Sequence, residues 1–393
     1  MKLFVLLSRV PYPLEKGDKL RAFNQLKELS KKHDIYLCAL NDNRLHPGAI
    51  HILSRYCKEI HIFPISIWSV LINCLRFFFT GKPLQCGYFY NRTIDNKIKQ
   101  LIKSIEPNHI YAQLIRTAEY VKDLPIQKTL DYQDAFSKGV FRMMEKASWW
   151  KRVMLSIEYR RLKTYEREIF SKFDNKTIIT KVDRMYINHP SSSNIVVVPN
   201  GVDLSIFSPE VKNKQYDLIF TGNFSYPPNI DAALHLAHDI LPLVKEKYPN
   251  IRLVLCGANP SSKVVALGNE NIVITGWVDD IKDYYAFSRI FIAPMRLGTG
   301  LQNKLLEAMA MKLPCVTSPL ASNPLDARPN NDIIVCNSIL GYVDAIDMLL
   351  SDDSYYKEIA ENGYGFVKKH YDWENTTAIL DKIISQSQFN SIN

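Results

Sequence analysis

Pro294-Met295-Arg296-Leu297-Gly298-Thr299-Gly300-Leu301-Gln302-Asn303-Lys304-Leu305-Leu306-Glu307-Ala308-Met309-Ala310 follows a short apolar run, Ile290 to Ala293, and leads into a helical pattern, Gln302 to Met311. The order is therefore strand, glycine turn, helix. A helix N-terminus presents unpaired N–H groups and a partial positive charge. Glycines let the backbone come close to a ligand, so the segment is suited to bind phosphate. Arg296 and Lys304 flank it and could neutralise a diphosphate. Glu307 lies one helical turn beyond Lys304. It either pairs with that lysine or accepts hydrogen bonds from two vicinal ribose hydroxyls. The segment is not the dinucleotide fingerprint, because Asn303 stands where a third glycine would be and the loop lies late in its half of the chain. It is not a P-loop either, since no Gly-Lys-Ser/Thr closes it. The plainer alternative is a tight turn with solvated charges.

The same strand–helix alternation extends both ways from this segment. Tyr216 to Phe220, Ile251 to Cys256, Asn271 to Thr275, Cys315 to Thr317 and Ile333 to Cys336 read as buried strands, with helices over Asn229 to Lys247 and Gln302 to Met311. Upstream, Leu3 to Leu7, Ile35 to Leu40, Ile60 to Pro64, His109 to Gln113, Lys128 to Leu130 and Thr177 to Thr180 read likewise, with helices over Lys19 to Lys32 and Asn91 to Ile105. Alternation of this kind builds parallel sheets from βαβ units. Between the two series lie the strand Ile195 to Val198, the turn Pro199-Asn200-Gly201-Val202-Asp203 and a polar linker, Ser208 to Gln215. The expected architecture is α/β with two consecutive parallel units.

Composition agrees with an ordinary globular chain. Of 393 residues, 47% are hydrophobic and 23% charged, which excludes a disordered, collagen-like or disulfide-scaffold class. The seven cysteines are scattered with no C-x-x-C pair, as in a reducing compartment and not in a zinc cluster. No signal-peptide pattern follows Met1, and no run of about 20 apolar residues occurs. Charge divides unevenly. Residues 1–197 carry 33 Lys+Arg against 18 Asp+Glu, a net of +15, whereas the remainder carries 16 against 22, a net of −6. A basic half suggests an anionic partner, either nucleic acid or a membrane surface, and no nucleic-acid-binding motif accompanies it.

The Pro294–Ala310 segment resembles the donor-binding motif of GT-B glycosyltransferases, closest to glycosyltransferase family 4. Further stretches agree in order. Val198 to Asp203 with Phe207 resembles the interdomain segment, Phe220-Thr221-Gly222-Asn223 the first strand and glycine turn of the nucleotide-sugar domain, and Ile274-Thr275-Gly276-Trp277-Val278 the base-contacting loop. Tyr371-Asp372-Trp373-Glu374 resembles the start of a last helix that crosses back to the first domain. Pro11-Tyr12-Pro13 with Gly17-Asp18-Lys19-Leu20-Arg21 resembles the cleft-facing loop after the first strand. The resemblance covers nearly the whole chain and is most like a bacterial exopolysaccharide and capsule subgroup.

It implies two Rossmann-like domains facing a central cleft: an acceptor domain over 1–198, a nucleotide-sugar domain over 199–370 and a returning helix over 371–393. It implies a retaining, metal-independent hexosyltransferase of class EC 2.4, with a nucleotide-diphosphate sugar as co-substrate and no cofactor. It implies donor contacts at Gly222, Asn223, Trp277, Val278, Gly298, Thr299, Gly300, Leu301 and Glu307, and a charge-stabilising role for Arg296, Lys304 and the helix start. The family often carries two glutamates eight residues apart here. This chain has Glu307 at the second position and Thr299 at the first, and it lacks the cations that many members place after the first glycine turn.

On the acceptor side, Gly17, Asp18, Arg21 and Asp134 are the candidates. Asp134 follows a strand end, where open α/β sheets meet ligands, and it is equally readable as a helix N-cap. His109 could serve as a base, although a lone histidine opening a strand reads more simply as structural. Ile67 to Phe79 and Trp149-Trp150-Lys151-Arg152 place tryptophans beside cations, as at lipid headgroup depth. The implied acceptor is a glycan or polyprenyl-diphosphate-linked saccharide, and the implied location is the cytoplasmic face of an anionic membrane. The readings that compete with transfer are a GT-B-fold nucleotide-sugar epimerase and a non-catalytic nucleotide-sugar-binding protein.

Overall fold

The structure is a computed structural model and describes residues 1–145, 147–298 and 300–389. The chain forms two compact units. One is Met1–Pro199 with the stretch from Thr376 onward, and the other is Asn200–Asn375.

The first unit is built on seven parallel strands: β1 (Lys2–Leu7), β2 (Asp34–Asn41), β3 (Glu59–Pro64), β4 (His109–Gln113), β5 (Lys128–Asp131), β6 (Asn175–Ile178) and β7 (Val196–Val197), in the order β3-β2-β1-β4-β5-β6-β7. β1 pairs with β2 from Lys2 opposite Asp34 and with β4 from Leu3 opposite His109. Its apolar run is buried on both faces, as a central parallel strand requires. The helix Arg92–Ile105 shows how local sequence sets an element. Asn91 Oδ1 accepts the N–H groups of Thr93 and Ile94, Ile94, Ile98, Ile102 and Ile105 face the core, and Glu106 ends the helix with φ of 51°. These are an N-cap, an apolar stripe at helical spacing and a left-handed stop. The helix Trp373–Phe389 adds Leu380 and Ile384 to the core of this unit, where Asp381 pairs with Lys32 and His33 at 2.7 Å each.

The second unit has six parallel strands: β8 (Tyr216–Thr221), β9 (Leu253–Cys256), β10 (Ile272–Gly276), β11 (Ser288–Ala293), β12 (Cys315–Thr317) and β13 (Ile334–Val335), in the order β10-β9-β8-β11-β12-β13. Strand order reverses between β8 and β11, and ligands of such sheets bind beyond the strand ends at that point. Ser208 to Gln215 carries neither helix nor strand. The helix expected over Asn229 to Lys247 is interrupted. Pro227–His235 and Leu241–Lys247 are separated by a π-turn, Leu236–Ile240. Pro242 has no N–H to give to the preceding turn, so the ladder shifts by one residue there.

Candidate functional site

The glycine turns after β8, β9 and β11 place the site. Gly257 has φ of 149°, and a Cβ there would lie 1.9 Å from the Gly222 carbonyl oxygen. Only glycine permits that approach of two strand ends. A Cβ at Gly222 would in turn lie 2.7 Å from Asn229 Nδ2 and 3.1 Å from Lys304 Nζ. The missing side chain at Gly222 is what lets these two polar groups meet above β8. Asn229 Nδ2 also donates to the Asn223 carbonyl at 2.9 Å, which ties the turn to the helix Pro227–His235.

Lys304 stands in the first turn of the helix Asn303–Ala310. Its Nζ donates to Asn229 Oδ1 at 2.6 Å and lies 4.5 Å from the centroid of the Phe220 ring. Both Lys304 and Glu307 are half-buried by surface area, with protein crowded round their charged ends. Desolvation lowers the Lys304 pKa to about 7, opposed by Glu307. Desolvation likewise raises that of Glu307, opposed by Tyr285 and Lys304. Glu307 Oε2 accepts from the Tyr285 hydroxyl at 2.9 Å, and that hydroxyl lies 2.9 Å from Thr221 Oγ1. Tyr285 is fully buried. A Thr221–Tyr285 relay therefore holds one carboxylate oxygen and leaves the second oxygen to a ligand or to Lys304.

The loop entering this helix turns at two left-handed glycines, Gly298 with φ of 121° and Gly300 with φ of 73°. Its start is held by Thr317 Oγ1 on the Ala293 carbonyl at 2.8 Å and by Ser318 Oγ on the Met295 carbonyl at 2.6 Å. Leu301 packs on the core, and Gln302 forms the N-cap position. Thr299 lies outside the described residues. Asn223 folds its side chain back onto Ser225 N–H and Oγ, at 2.9 and 2.7 Å. Trp277, after β10, is 71% exposed, while Val278 packs on the core.

Arg296 departs from the expected arrangement. Its guanidinium pairs bidentately with Asp231, Nε to Oδ2 at 3.1 Å and Nη2 to Oδ1 at 2.9 Å, and its Nη1 approaches His235 Nδ1 at 3.4 Å. Both partners lie on the helix Pro227–His235, further along it than Asn229. The structure gathers Gly222, Asn229, Lys304, Tyr285 and Glu307, and pairs Arg296 with Asp231. Asn229 and Tyr285 were not anticipated. Asn229 stands at the start of the helix expected over Asn229 to Lys247, and Tyr285 lies outside the stretches read from sequence.

In the first unit, Arg21 is corrected. It lies inside the helix Gly17–Leu29 and is fully buried. Its Nε and Nη2 reach Asp131 at 2.7 and 3.2 Å, and its Nη1 donates to the Pro199 carbonyl at 3.2 Å. Tyr111 and Thr177 hydroxyls donate to the same carboxylate at 2.9 Å each. A residue so enclosed cannot touch an acceptor. Asp18 pairs with Arg9 at 2.8 Å, and Gly17 is exposed at the helix start. His109 is buried, lies 2.8 Å from Thr129 Oγ1 and has its pKa lowered to about 4 by burial, so it is structural. Asp134 is exposed by surface area, yet protein crowded round its carboxyl, then Asp183 and Asp131, raise its pKa to about 7, opposed by Arg21. The next helix, Phe136–Glu145, is held instead by Glu166, which accepts Ser137 N–H at 3.0 Å and Ser137 Oγ at 2.6 Å.

The two tryptophan-bearing stretches form an outward apolar face. On the helix Ile67–Phe79, Ile67, Trp68, Leu71, Ile72, Leu75, Phe78 and Phe79 are exposed, Trp68 at 72% and Phe79 at 78%. On the helix Trp149–Phe170, Trp149, Trp150, Val153, Met154 and Ile157 are exposed, Trp149 at 80%. Arg161 joins the helices, donating to the Phe78 carbonyl at 2.8 Å and lying over the Phe78 ring. Among the described residues, no helix is long and apolar enough to cross a membrane.

Residues 215–352 match the family described as glycosyl transferases group 1. An uncharacterized 44.6 kDa protein in the cps region of Klebsiella pneumoniae is 23% identical, with 94% of this chain and 96% of that protein covered. The Escherichia coli UDP-Gal:alpha-D-GlcNAc-diphosphoundecaprenol alpha-1,3-galactosyltransferase is 23% identical, with 44% of this chain and 51% of that protein covered. Anabaena HepE, solved in complex with UDP-glucose, superposes with a TM-score of 0.67 at 13% identity, covering 98% of this chain and 99% of its own. The fold is thus that of GT-B glycosyltransferases, and the match to the group 1 family lies within the second unit.

Proposed function

We propose that the chain is a retaining glycosyltransferase that takes a sugar from a nucleotide diphosphate and transfers it to a lipid-linked or oligosaccharide acceptor in surface-polysaccharide synthesis. The observation that carries this reading is the Lys304–Glu307 pair, half-buried beyond the ends of β8 and β11 and approached through Gly222. A diphosphate departing from the sugar gathers negative charge, and a lysine already in place stabilises it without reorganisation. The free oxygen of Glu307, with its partner fixed by Tyr285, suits a ribose diol. The Anabaena structure with UDP-glucose supports a nucleotide sugar as donor. The cps-region relative and the undecaprenol-linked activity of the Escherichia coli relative support a surface-glycan acceptor.

In the reaction, the bond from the anomeric carbon to the diphosphate oxygen breaks, and the acceptor hydroxyl bonds to that carbon on the same face. Asp134 is proposed to take the hydroxyl proton, since a carboxyl poised near 7 suits a general base. The exposed helix faces, flanked by Arg76, Lys151 and Arg152, are proposed to rest on an anionic membrane surface.

Thermal shift with a panel of nucleotide sugars, paired with transfer assays, tests the reading. One nucleotide sugar at about 100 times its Kd should stabilise the protein by roughly 2.7 kcal/mol. Glu307→Gln should abolish that shift. Asp134→Asn should keep it and lose about 10²–10⁴ in kcat. A protein that no nucleotide sugar stabilises would refute the donor site. Release of an altered nucleotide sugar with no acceptor present would favour an epimerase.

A further inference from the structure

Arg21 shows how the first unit treats a buried guanidinium: a carboxylate stands beside it. Arg116 has none. It follows β4, where the strand order of this sheet reverses between β1 and β4. Ligands of open parallel sheets meet the strand ends at such a point. Its guanidinium carbon lies 4.8 Å from the centroid of the Phe136 ring and 5.1 Å from that of Phe89. Its Nη2 donates to Gln85 Oε1 at 3.1 Å. Its Nε is enclosed without a hydrogen-bond partner, and among the described residues no carboxylate pairs with the guanidinium. Arg9, which follows β1, lies 5.5 Å from the same Phe89 ring but has partners of its own, Asp18 at 2.8 Å and Asp42 at 3.8 Å. Burial, and then Arg9, pull the Arg116 pKa below its ordinary value, opposed by Asp18, Cys86 and Asp42.

The backbone that delivers Arg116 is strained. Leu114, directly after β4, has φ of 67° and ψ of 145°, a conformation that residues with a Cβ rarely adopt. Its N–H donates to the Asp131 carbonyl at 2.7 Å, and the Thr117 hydroxyl reaches the Gln113 and Leu114 carbonyls at 3.0 Å each. Strain and an uncompensated cation both cost stability, and such costs gather where ligands bind. The missing partner is then an anion from outside the chain. The surrounding charges select its kind. Arg9 and Arg116 against Asp18 and Asp42 cancel, so a dianionic phosphate would meet two carboxylates as well as two cations. A carboxylate needs only the one uncompensated guanidinium, and Asp18 and Asp42 can accept hydroxyls beside it. We propose that Arg116 binds a carboxylate carried by a sugar of the acceptor and so selects an acidic saccharide. That this saccharide is the acceptor rests on the transferase reading, whereas the binding of the carboxylate does not.

Glucuronate, glucose and glucose 6-phosphate share one ring and differ at carbon 6, and galacturonate with galactose repeats the comparison on a second ring. Ligand-observed NMR titration of the full chain should show at least one uronate binding about tenfold tighter than its neutral sugar. Arg116→Gln should remove that preference, a loss of about tenfold for the uronate and little for the neutral sugar. Lys151→Gln/Arg152→Gln, which removes as much charge or more elsewhere in the unit, should leave the preference intact. The proposal is overturned if neither uronate is preferred, if Arg116→Gln keeps the preference, or if the Lys151/Arg152 variant loses it equally. Glucose 6-phosphate binding more tightly than glucuronate would overturn the carboxylate. Stability supplies an independent reading. Arg116→Gln removes a charge that no carboxylate balances, so it should melt within a few degrees of the wild type. Melting as far below the wild type as Arg21→Met would make Arg116 structural and overturn the proposal. A uronate preference that depends on Arg116, in a chain that no nucleotide sugar stabilises, would uphold the carboxylate site and refute the donor reading alone.

Discussion

Lys304 carries the most direct pH signature in the molecule. Burial lowers its pKa to about 7, whereas the unfolded chain titrates near 10.4. Between those values the unfolded state holds more protons, so this residue makes stability rise with pH across that window. Below about pH 7 the penalty for burying the charge is present in full. Donor binding has the opposite slope, because a diphosphate favours the charged amine. A nucleotide-diphosphate sugar has no phosphate that titrates near neutrality, so the affinity of whichever one binds should fall as pH rises from about 7 to 9, by at most about tenfold per unit. Lys304→Met should bind weakly with no such slope. A slope that survives in the variant would assign the proton elsewhere. Lys304 and Glu307 were legible because they lie within one strand–turn–helix segment. Their partners Asn229 and Tyr285 were not, since those contacts span 75 and 22 residues and leave no periodic trace.

At the scale of elements, the helix Gly17–Leu29 corrects a reading made from local sequence. Arg21 sits in a run that resembles a cleft-facing loop, yet its turn of helix points inward to Asp131 at the end of β5. Sequence shows a charged residue but not the buried carboxylate 110 positions away that accepts it. Arg21→Met should destabilise the protein by about 3–5 kcal/mol, because it strands a buried charge, and adding Asp131→Leu should restore part of the loss. Denaturant unfolding of the single and double variants checks this, and two strictly additive losses would deny the coupling. The helix Ile67–Phe79 was readable as apolar, but its orientation was not. Its outward side carries Leu71, Ile72 and Leu75, while Asn73 faces in and donates to the Tyr90 carbonyl at 2.8 Å. Leu71→Ser/Leu75→Ser should therefore leave the melting temperature nearly unchanged and sharply reduce sedimentation with anionic vesicles. Unaltered vesicle binding would exclude this face.

At the scale of the whole molecule, strand–helix alternation made both parallel sheets legible, because buried parallel strands read as plain apolar runs. The ends of elements were less legible. The π-turn before Leu241 and the start of α-helical structure at Gly17 depend on hydrogen-bond geometry that composition does not carry. Charge is the property that only the complete sequence reveals. The net of +15 over residues 1–197 against −6 over the rest places the cations in the unit that also exposes the apolar helix faces. Each Lys or Arg near an anionic leaflet contributes about 1 kcal/mol, an attraction that fades beyond a Debye length of about 10 Å at 0.1 M salt. Vesicles with about one third anionic lipid should bind the protein at low ionic strength and lose most of it at about 0.5 M salt, while neutral vesicles should retain little at either. The apolar face and the charge then separate cleanly. Leu71→Ser/Leu75→Ser should lower binding at every salt concentration, and Lys151→Gln/Arg152→Gln should chiefly flatten the salt dependence. Equal binding to neutral and anionic vesicles would show that the basic unit serves some other anion.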